Sequence, residues 1–135
     1  MFEPVLTTQT QVEDAWRTLM GPWSFGGHSV WMMLVVGDRP LPQLTEISEC
    51  EDPPDAAHVE GLAEILLMLD RDVAPGLHVA FLRSRPGRST ITETDRAWAR
   101  SLYASARRAG VPCAVVHLAT RGDIRPIPAD VVGIR

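Results

Sequence analysis

Residues 77–95, LHVAFLRSRPGRSTITETD, decide the fold predicted for this chain. Leu77–Leu82 is a short and mostly apolar run, which is typical of a buried strand. Pro86-Gly87 marks a turn shortly after it. The stretch therefore predicts a strand that delivers Arg83 and Arg85 at its end and then passes into a loop.

A helix is predicted directly after this loop. Thr92 and Asp95 have the three-residue spacing of a capping box, in which a hydroxyl and a carboxylate accept hydrogen bonds from free backbone N–H groups. Trp98, Leu102 and Ala106 then recur at helical spacing on one face, and Gly110 is a typical C-terminal cap. Residues 77–110 are thus predicted to form a strand, a loop and a helix.

The flanking sequence predicts further strands and helices on both sides of this unit. Pro42 places the start of the second strand at a sheet edge, because proline cannot donate to a central ladder. The complete order is α-β-β-α-β-α-β-β, which predicts a single-domain α/β sandwich over residues 1–135 with a mixed sheet. The remaining elements are a helix capped by Thr8 or Thr10 and ended by Gly21-Pro22, strands at Val30–Val36 and Leu41–Glu49, a helix from Asp55 to about Asp72, and strands at Pro112–Ala119 and Ile124–Ile127.

Composition limits the classes of function. The 135 residues are 45% hydrophobic and 22% charged, which fits one globular domain. The net charge of −4 at pH 7 disfavours a general nucleic-acid binder. Met1–Pro4 lacks the basic and apolar regions of a signal peptide, and no run approaches the roughly 18 apolar residues that span a bilayer. We therefore expect a cytoplasmic protein without a membrane partner.

No metal site, cofactor or catalytic residue is predicted from local motifs. Cys50 and Cys113 lack metal-binding or redox spacing, so we expect both to be reduced and at least half-buried. Cys113 and His117 would lie about 13 Å apart along a strand, too far for direct ligation of one zinc ion. The other histidines, His28, His58 and His78, are isolated in the sequence.

The stretches Arg83-Ser84-Arg85-Pro86 and Thr92-Glu93-Thr94-Asp95 resemble a motif of the JAB/MPN (JAMM) domain. The resemblance is to its RadC-like branch, a relative of the cytidine-deaminase-like fold. In that family a strand ends in His-x-His-Pro, and a helix after the next loop begins with Ser-x-x-Asp. Gly110–His117 is similar to the family's following strand, and the whole resemblance covers about Trp31–Ile127.

The resemblance implies a metal site that this chain has lost. The family holds zinc with the two histidines and the aspartate, orients the attacked group with the serine, and uses an upstream glutamate as general base. Arginine stands at both histidine positions, and a guanidinium offers only donors and cannot ligate zinc. Thr92 and Asp95 would then be remnants of the motif. Either Glu46 or Glu49 could match the glutamate.

Arg83, Arg85 and Arg88 together predict an anion-binding site. They would converge beside the N-terminus of the helix capped by Thr92, where backbone donors and the helix dipole already favour negative charge. The simpler interpretation makes Arg83 and Arg85 exposed guanidiniums near acids. Thr92 and Asp95 would then be helix caps and nothing more.

The leading functional prediction is a non-catalytic binding or scaffold domain, which acts through protein contacts or an arginine-lined anion pocket. One alternative is an enzyme, either a metal-dependent hydrolase that recruits its metal through Asp95 and an upstream acid or a deaminase-like relative with a relocated site. Nucleic-acid association is the other, although the acidic balance of the chain favours an acid-paired helix face as the explanation of its arginines. The predicted partners are a protein, a small anion, or a second copy through a sheet edge or Trp23, while Trp16, Trp31 and Trp98 are assigned to the core. The arginines of the nucleic-acid alternative are Arg96, Arg100, Arg107 and Arg108.

Overall fold

The computed structural model describes residues 9–20, 28–37, 39–47, 50, 52–121 and 123–133. Within them the predicted order of helices and strands is confirmed, and a short 3-10 helix follows the last strand. The elements are α1 (Gln9–Met20), β1 (Ser29–Val36), β2 (Arg39–Ile47), α2 (Ala56–Asp72), β3 (His78–Ser84), α3 (Glu93–Ala109), β4 (Val116–Thr120), β5 (Asp123–Ile127) and the 3-10 helix (Ala129–Val132).

The strands form one mixed sheet in the order β2-β1-β3-β4-β5. β3 and β4 are parallel and are joined through α3, whereas the other neighbouring pairs are antiparallel. β2 is an edge strand, as Pro42 predicted. The central β3 therefore carries its last residues to the same end of the sheet at which α3 begins.

Helices cover both faces of the sheet, so the predicted α/β sandwich is confirmed as a mixed α/β fold with one sheet. Alternate residues of each buried strand point to opposite faces, which explains the continuous apolar run of β1. α1 packs on one face and α2 and α3 pack on the other. The α1 face includes Trp16, Met33, Val35, Ala80 and Leu82, and the α2/α3 face includes Val30, Leu66, Phe81, Trp98, Leu102 and Leu118.

The helix caps follow the predicted chemistry. Thr92 Oγ1 accepts from the Asp95 backbone N–H at 3.1 Å, and Asp95 Oδ2 accepts from the Thr92 N–H at 2.9 Å. Gly110 ends α3 with a φ of 72°, a left-handed conformation that favours glycine. Asp55 caps α2 by accepting from the His58 N–H at 3.0 Å. The first turn of α3 is thus held by the same carboxylate that lies at the end of β3.

Three predicted boundaries were wrong. β2 begins at Arg39, because a tight turn at Gly37 allows Arg39 to pair directly with Val36. The continuous strand β4 begins at Val116 rather than Pro112, although Pro112 and Ala114 already bond to Val79 of β3 through an isolated bridge, and the Val116 N–H donates to the Tyr103 hydroxyl at 2.8 Å. Thr10 lies inside α1 and is not its cap. Thr8, Trp23 and Glu49 lie outside the described residues.

Candidate functional site

β3 carries two arginines into the protein interior beneath the start of α3. Arg83 lies on the α2/α3 face, the same face as Val79 and Phe81, because alternate residues of a strand point to one side. Arg83 is 1% exposed, Arg85 is 6% exposed, and Asp95 is fully buried. The interpretation of Arg83 and Arg85 as exposed guanidiniums was therefore wrong. Asp95 supplies one negative charge against these two positive charges, and backbone carbonyls accept further hydrogen bonds from both guanidiniums.

Asp95 lies between the two guanidinium groups. Its Oδ1 accepts from Arg83 Nε at 2.7 Å and from Arg85 Nε at 2.8 Å. Its Oδ2 accepts from Arg85 Nη2 at 2.7 Å and from the Thr92 N–H at 2.9 Å. Both carboxylate oxygens are satisfied by charged or backbone donors, which is the condition for a stable buried ion pair. We call Arg83, Arg85 and Asp95 the arginine–aspartate cluster.

The electrostatics of the cluster keep Asp95 ionised. Burial by itself would raise the pKa of the Asp95 carboxyl, because a low-dielectric interior disfavours the charged form. The hydrogen bonds from Arg85, the Thr92 backbone and Arg83 outweigh burial and hold this pKa well below its ordinary value. Asp95 is therefore a permanent anion at neutral pH, and it lacks the poised proton of a general acid.

Arg85 also organises the loop between β3 and α3. Its Nη1 donates to the carbonyls of Pro86 at 3.0 Å and Arg88 at 2.9 Å, and its Nη2 donates to Thr90 O at 2.8 Å. With the bonds to Asp95, all five N–H donors of a guanidinium have internal acceptors. Arg85 thus holds the loop and α3 together and has no donor left over for a ligand.

Arg83 links the cluster to the α2/α3 core. Its Nη1 donates to Cys50 O at 2.8 Å, and its guanidinium carbon lies 6.0 Å from the centre of the Trp98 ring. Trp98 Nε1 donates to Asp52 O at 2.9 Å, and the Trp98 and His58 rings pack edge to face with their centres 5.6 Å apart. The buried charge is therefore surrounded by an aromatic face and backbone oxygens, which favours a cation.

The residues predicted to bind an anion separate into two groups. Arg83, Arg85 and Thr92 come together around Asp95, whereas the Arg88 side chain is exposed on the loop. The anion at the centre of the site is thus the protein's own carboxylate. Arg125 Nη1 donates to the adjacent Ser89 O at 2.9 Å, which places a second exposed arginine against this loop. Binding of an anion from solution stays a prediction, and Arg88 is the exposed arginine of the predicted set.

The partners of the cluster were missed by sequence reasoning. Cys50 and Trp98 are far from Arg83 along the chain, and neither has a local motif that marks it as an arginine partner. Asp95 was interpreted as a cap or a metal remnant, although it also pairs with both arginines. The available signal was the pair of arginines at the end of an apolar strand, because such a position is buried and requires a counterion.

The upstream glutamates do not complete a second carboxylate site within the described residues. Glu46 pairs with Trp31 across the sheet, so it lies on the α1 face, and it accepts from Ser29 Oγ at 2.7 Å. The sheet separates it from Asp95, which lies on the α2/α3 face. Glu46 thus cannot act on the same group as Asp95, and Glu49 lies outside the described residues.

Metal-binding side chains are dispersed. No group of three His, Cys, Asp or Glu side chains among the described residues is close enough to hold one ion. Cys50 is buried and Cys113 is partly buried, as predicted. Burial raises the pKa of the Cys113 thiol to about 12, so this sulfur is protonated and a poor metal ligand at neutral pH.

The arginines proposed for nucleic-acid contact are largely engaged within the protein. Arg96 pairs with Glu93 at 2.7 Å and Arg108 pairs with Glu60 at 2.8 Å. Arg100 Nε donates to Val132 O at 3.1 Å, and Arg107 is exposed. This arrangement matches the simpler interpretation of an α3 face whose charges are paired with nearby acids.

His117 is the other buried titratable group of interest. It lies on the α1 face of β4 and is fully buried, and neither ring nitrogen has a hydrogen-bond partner among the described residues. Glu13 Oε1 of α1 is 4.0 Å from its Nε2. Burial lowers the pKa of His117, while the negative charge of Glu13 opposes that shift only in part. His117 is therefore neutral at pH 7.

We expect His117 to make the protein less stable in mild acid. Because its pKa is lowered by folding, the unfolded chain binds more protons below about pH 6.5, and the free energy of unfolding falls as the pH is reduced through that value. Urea unfolding of the wild type and of His117→Leu between pH 8 and pH 5 measures the effect. The stability of the wild type relative to the variant should fall as the pH is lowered from 8 to 5. A constant difference would contradict the assignment of a lowered pKa to His117.

Two further observations bear on identity. Among the described residues, no helix has the length and apolar character needed to cross a bilayer. Comparisons with family models, with curated proteins and with solved structures found no match.

Proposed function

We propose that this protein is a non-catalytic binding or scaffold domain in which an internal arginine–aspartate cluster stands where related enzymes hold a metal. The observation that carries the proposal is the position of Asp95, fully buried between Arg83 and Arg85. The enzymes to which this proposal relates the chain are RadC-like JAB/MPN domains. Support for this relationship comes from the order of the elements and from the Arg-x-Arg and Thr-x-x-Asp residues that meet at the end of β3.

The chemistry of the cluster favours a structural role. A catalytic zinc site needs neutral or anionic ligands and an open position for water. Here two cations occupy the carboxylate that could bind a metal, and every donor of Arg85 is used. A divalent cation at Asp95 would lie beside two guanidiniums and would be repelled. The cluster can support a fixed surface loop, but it offers no nucleophile or activated water.

The loop from Pro86 to Thr90 is the part of this site that faces solvent. Its backbone is held by Arg85, and its Arg88 side chain is exposed beside Arg125. A rigid loop with exposed arginines is suited to contact an acidic group on a partner, because little entropy is lost on binding. We place the protein in the cytoplasm as part of the same proposal.

Elemental metal analysis tests the non-catalytic role. Protein purified without a histidine tag should contain far less than one equivalent of zinc, both as isolated and after incubation with excess zinc and desalting. Cys113→Ala is the control for adventitious binding through the thiol. Retention of stoichiometric zinc that is lost in Asp95→Asn would contradict the proposal and would indicate a metallohydrolase.

A further inference from the structure

Exposed apolar side chains are concentrated on α2. Among the described residues, six large hydrophobic side chains are exposed, and four of them belong to α2 or to its C-terminal cap. Ile65, Leu67 and Met68 are 48%, 47% and 44% exposed, and Val73 at the cap is 62% exposed. Scattered apolar residues are ordinary on protein surfaces, whereas a cluster on one helix indicates a contact surface.

The packing of α2 within the protein leaves free the side of the helix that carries Leu67 and Met68. Only Ala63 and Leu66 of α2 are buried. α3 is the helix that packs against α2, through contacts such as Ser105 Oγ to Val59 O at 3.2 Å. Leu67 and Met68 follow Leu66 directly, so they turn away from the buried stripe on either side. A further layer could therefore be added over α2 without any change in the fold.

The exposed side of α2 carries one negative and one positive side chain that could pair with those of a second copy. Glu64 and Arg71 are both exposed and lie seven residues apart, which is close to two helical turns and places them on one edge of α2. Among the described residues Glu64 has no ion-pair partner, and Arg71 contacts only its neighbour Asp72, in a solvent-exposed pair at 3.2 Å. Such an exposed pair contributes little and can be exchanged.

We propose that α2 pairs with α2 of a second copy of this chain, antiparallel, about a twofold axis between Leu67 and Met68. This axis places Glu64 opposite Arg71 of the second copy, and Arg71 opposite the second copy's Glu64. The same axis places each Leu67 against Met68 of the other chain. One operation thus covers Leu67 and Met68 and forms two reciprocal ion pairs.

The alternative helix orientation is disfavoured by the same charges. In a parallel pair the equivalent residues face each other, so Glu64 would meet Glu64 and Arg71 would meet Arg71. Only the antiparallel arrangement brings unlike charges together at both ends of the Leu67–Met68 contact. The α2 contact uses no residue of the arginine–aspartate cluster, so the dimer can form whether or not the cluster supports a partner site.

The size of the contact predicts a weak dimer. The 17 residues of α2 give a helix about 25 Å long, and one helix pair of this length lies at the low end of specific interfaces. We therefore expect a monomer–dimer equilibrium with a dissociation constant on the order of micromolar. The dimer should be sensitive to salt, since its orientation is set by exposed ion pairs.

Charge reversal tests the partner and the orientation together. Sedimentation equilibrium across the micromolar range is measured for the wild type, for Glu64→Arg, for Arg71→Glu, and for an equal mixture of the two variants. Each variant alone should dimerise about tenfold more weakly, because both reciprocal pairs become repulsive. The mixture should regain the wild-type dissociation constant, because unlike charges meet again in the heterodimer.

Matched controls separate this surface from a general charge effect. Asp14→Arg on α1 and Arg107→Glu on α3 make the same charge changes at exposed positions elsewhere, and they should leave the equilibrium unchanged. Circular dichroism checks that each variant is folded. A wild type that is monomeric throughout the range would overturn the proposal. So would a dimer that is indifferent to both reversals, or a mixture that does not recover.

Discussion

Asp95→Ala lowers the free energy of unfolding by about 3–5 kcal/mol, the range for removal of one partner from a buried ion pair. The reason is that both guanidiniums remain inside the protein after their shared counterion is lost. Arg83 and Arg85 are almost fully buried, so water cannot replace the carboxylate without a local opening. The Thr92 N–H at the start of α3 loses its acceptor in the same substitution.

Urea unfolding at neutral pH measures this loss. Asp95→Asn should lie between wild type and Asp95→Ala, because the amide keeps an acceptor oxygen and lacks the charge. Asp72→Ala is the matched control, since Asp72 pairs with Arg71 at the surface, and its effect should stay within about 0.5 kcal/mol. A loss of less than about 1 kcal/mol for Asp95→Ala would mean that the cluster is not a buried ion pair.

Arg85→Ala destabilises the protein to a similar extent, by about 3–5 kcal/mol, through a partly different set of contacts. The substitution leaves Asp95 with Arg83 as its single charged partner, and it removes the donors to Pro86 O, Arg88 O and Thr90 O. The loop between β3 and α3 should therefore open before the rest of the protein unfolds. Arg85→Lys should recover only part of the stability, because an ammonium cannot reproduce the planar fork of donors.

Hydrogen exchange tests whether the loop between β3 and α3 opens first in Arg85→Ala. In Arg85→Ala, the backbone amides of residues 87–95 should exchange faster than they do in the wild type, whereas those of α2, which lies outside the loop, should change much less. Arg107→Ala removes an exposed arginine from the same protein, and its stability should change by less than about 0.5 kcal/mol. Faster exchange spread evenly over the protein would contradict the assignment of Arg85 as the group that holds the loop.

Local sequence signals predicted the secondary structure accurately. The Thr92–Asp95 capping box, the left-handed Gly110 and the Asp55 cap are properties of a few neighbouring residues, and all three occur in the structure. The exceptions arise where distant residues compete. At the start of β4, the Val116 N–H donates to the hydroxyl of Tyr103, which lies 13 residues away.

The candidate site was predicted in its residues and not in its arrangement. Arg83, Arg85, Thr92 and Asp95 do meet, because β3 and α3 are consecutive and the loop between them is short. The guanidiniums turn inward to Asp95 because the end of β3 is buried beneath the start of α3. A motif cannot distinguish an exposed arginine from a buried one.

By itself, the sequence determined the order of the elements, their caps, the edge position of β2 and the residues that surround the end of β3. These features depend on periodicity, backbone conformation and short-range hydrogen bonds, all of which are encoded within a few residues. Only the tertiary structure decided that Asp95 is paired with two buried arginines, and that Glu46 lies across the sheet from it. It also decided that α2 leaves apolar side chains exposed, because burial depends on which helices meet above the sheet.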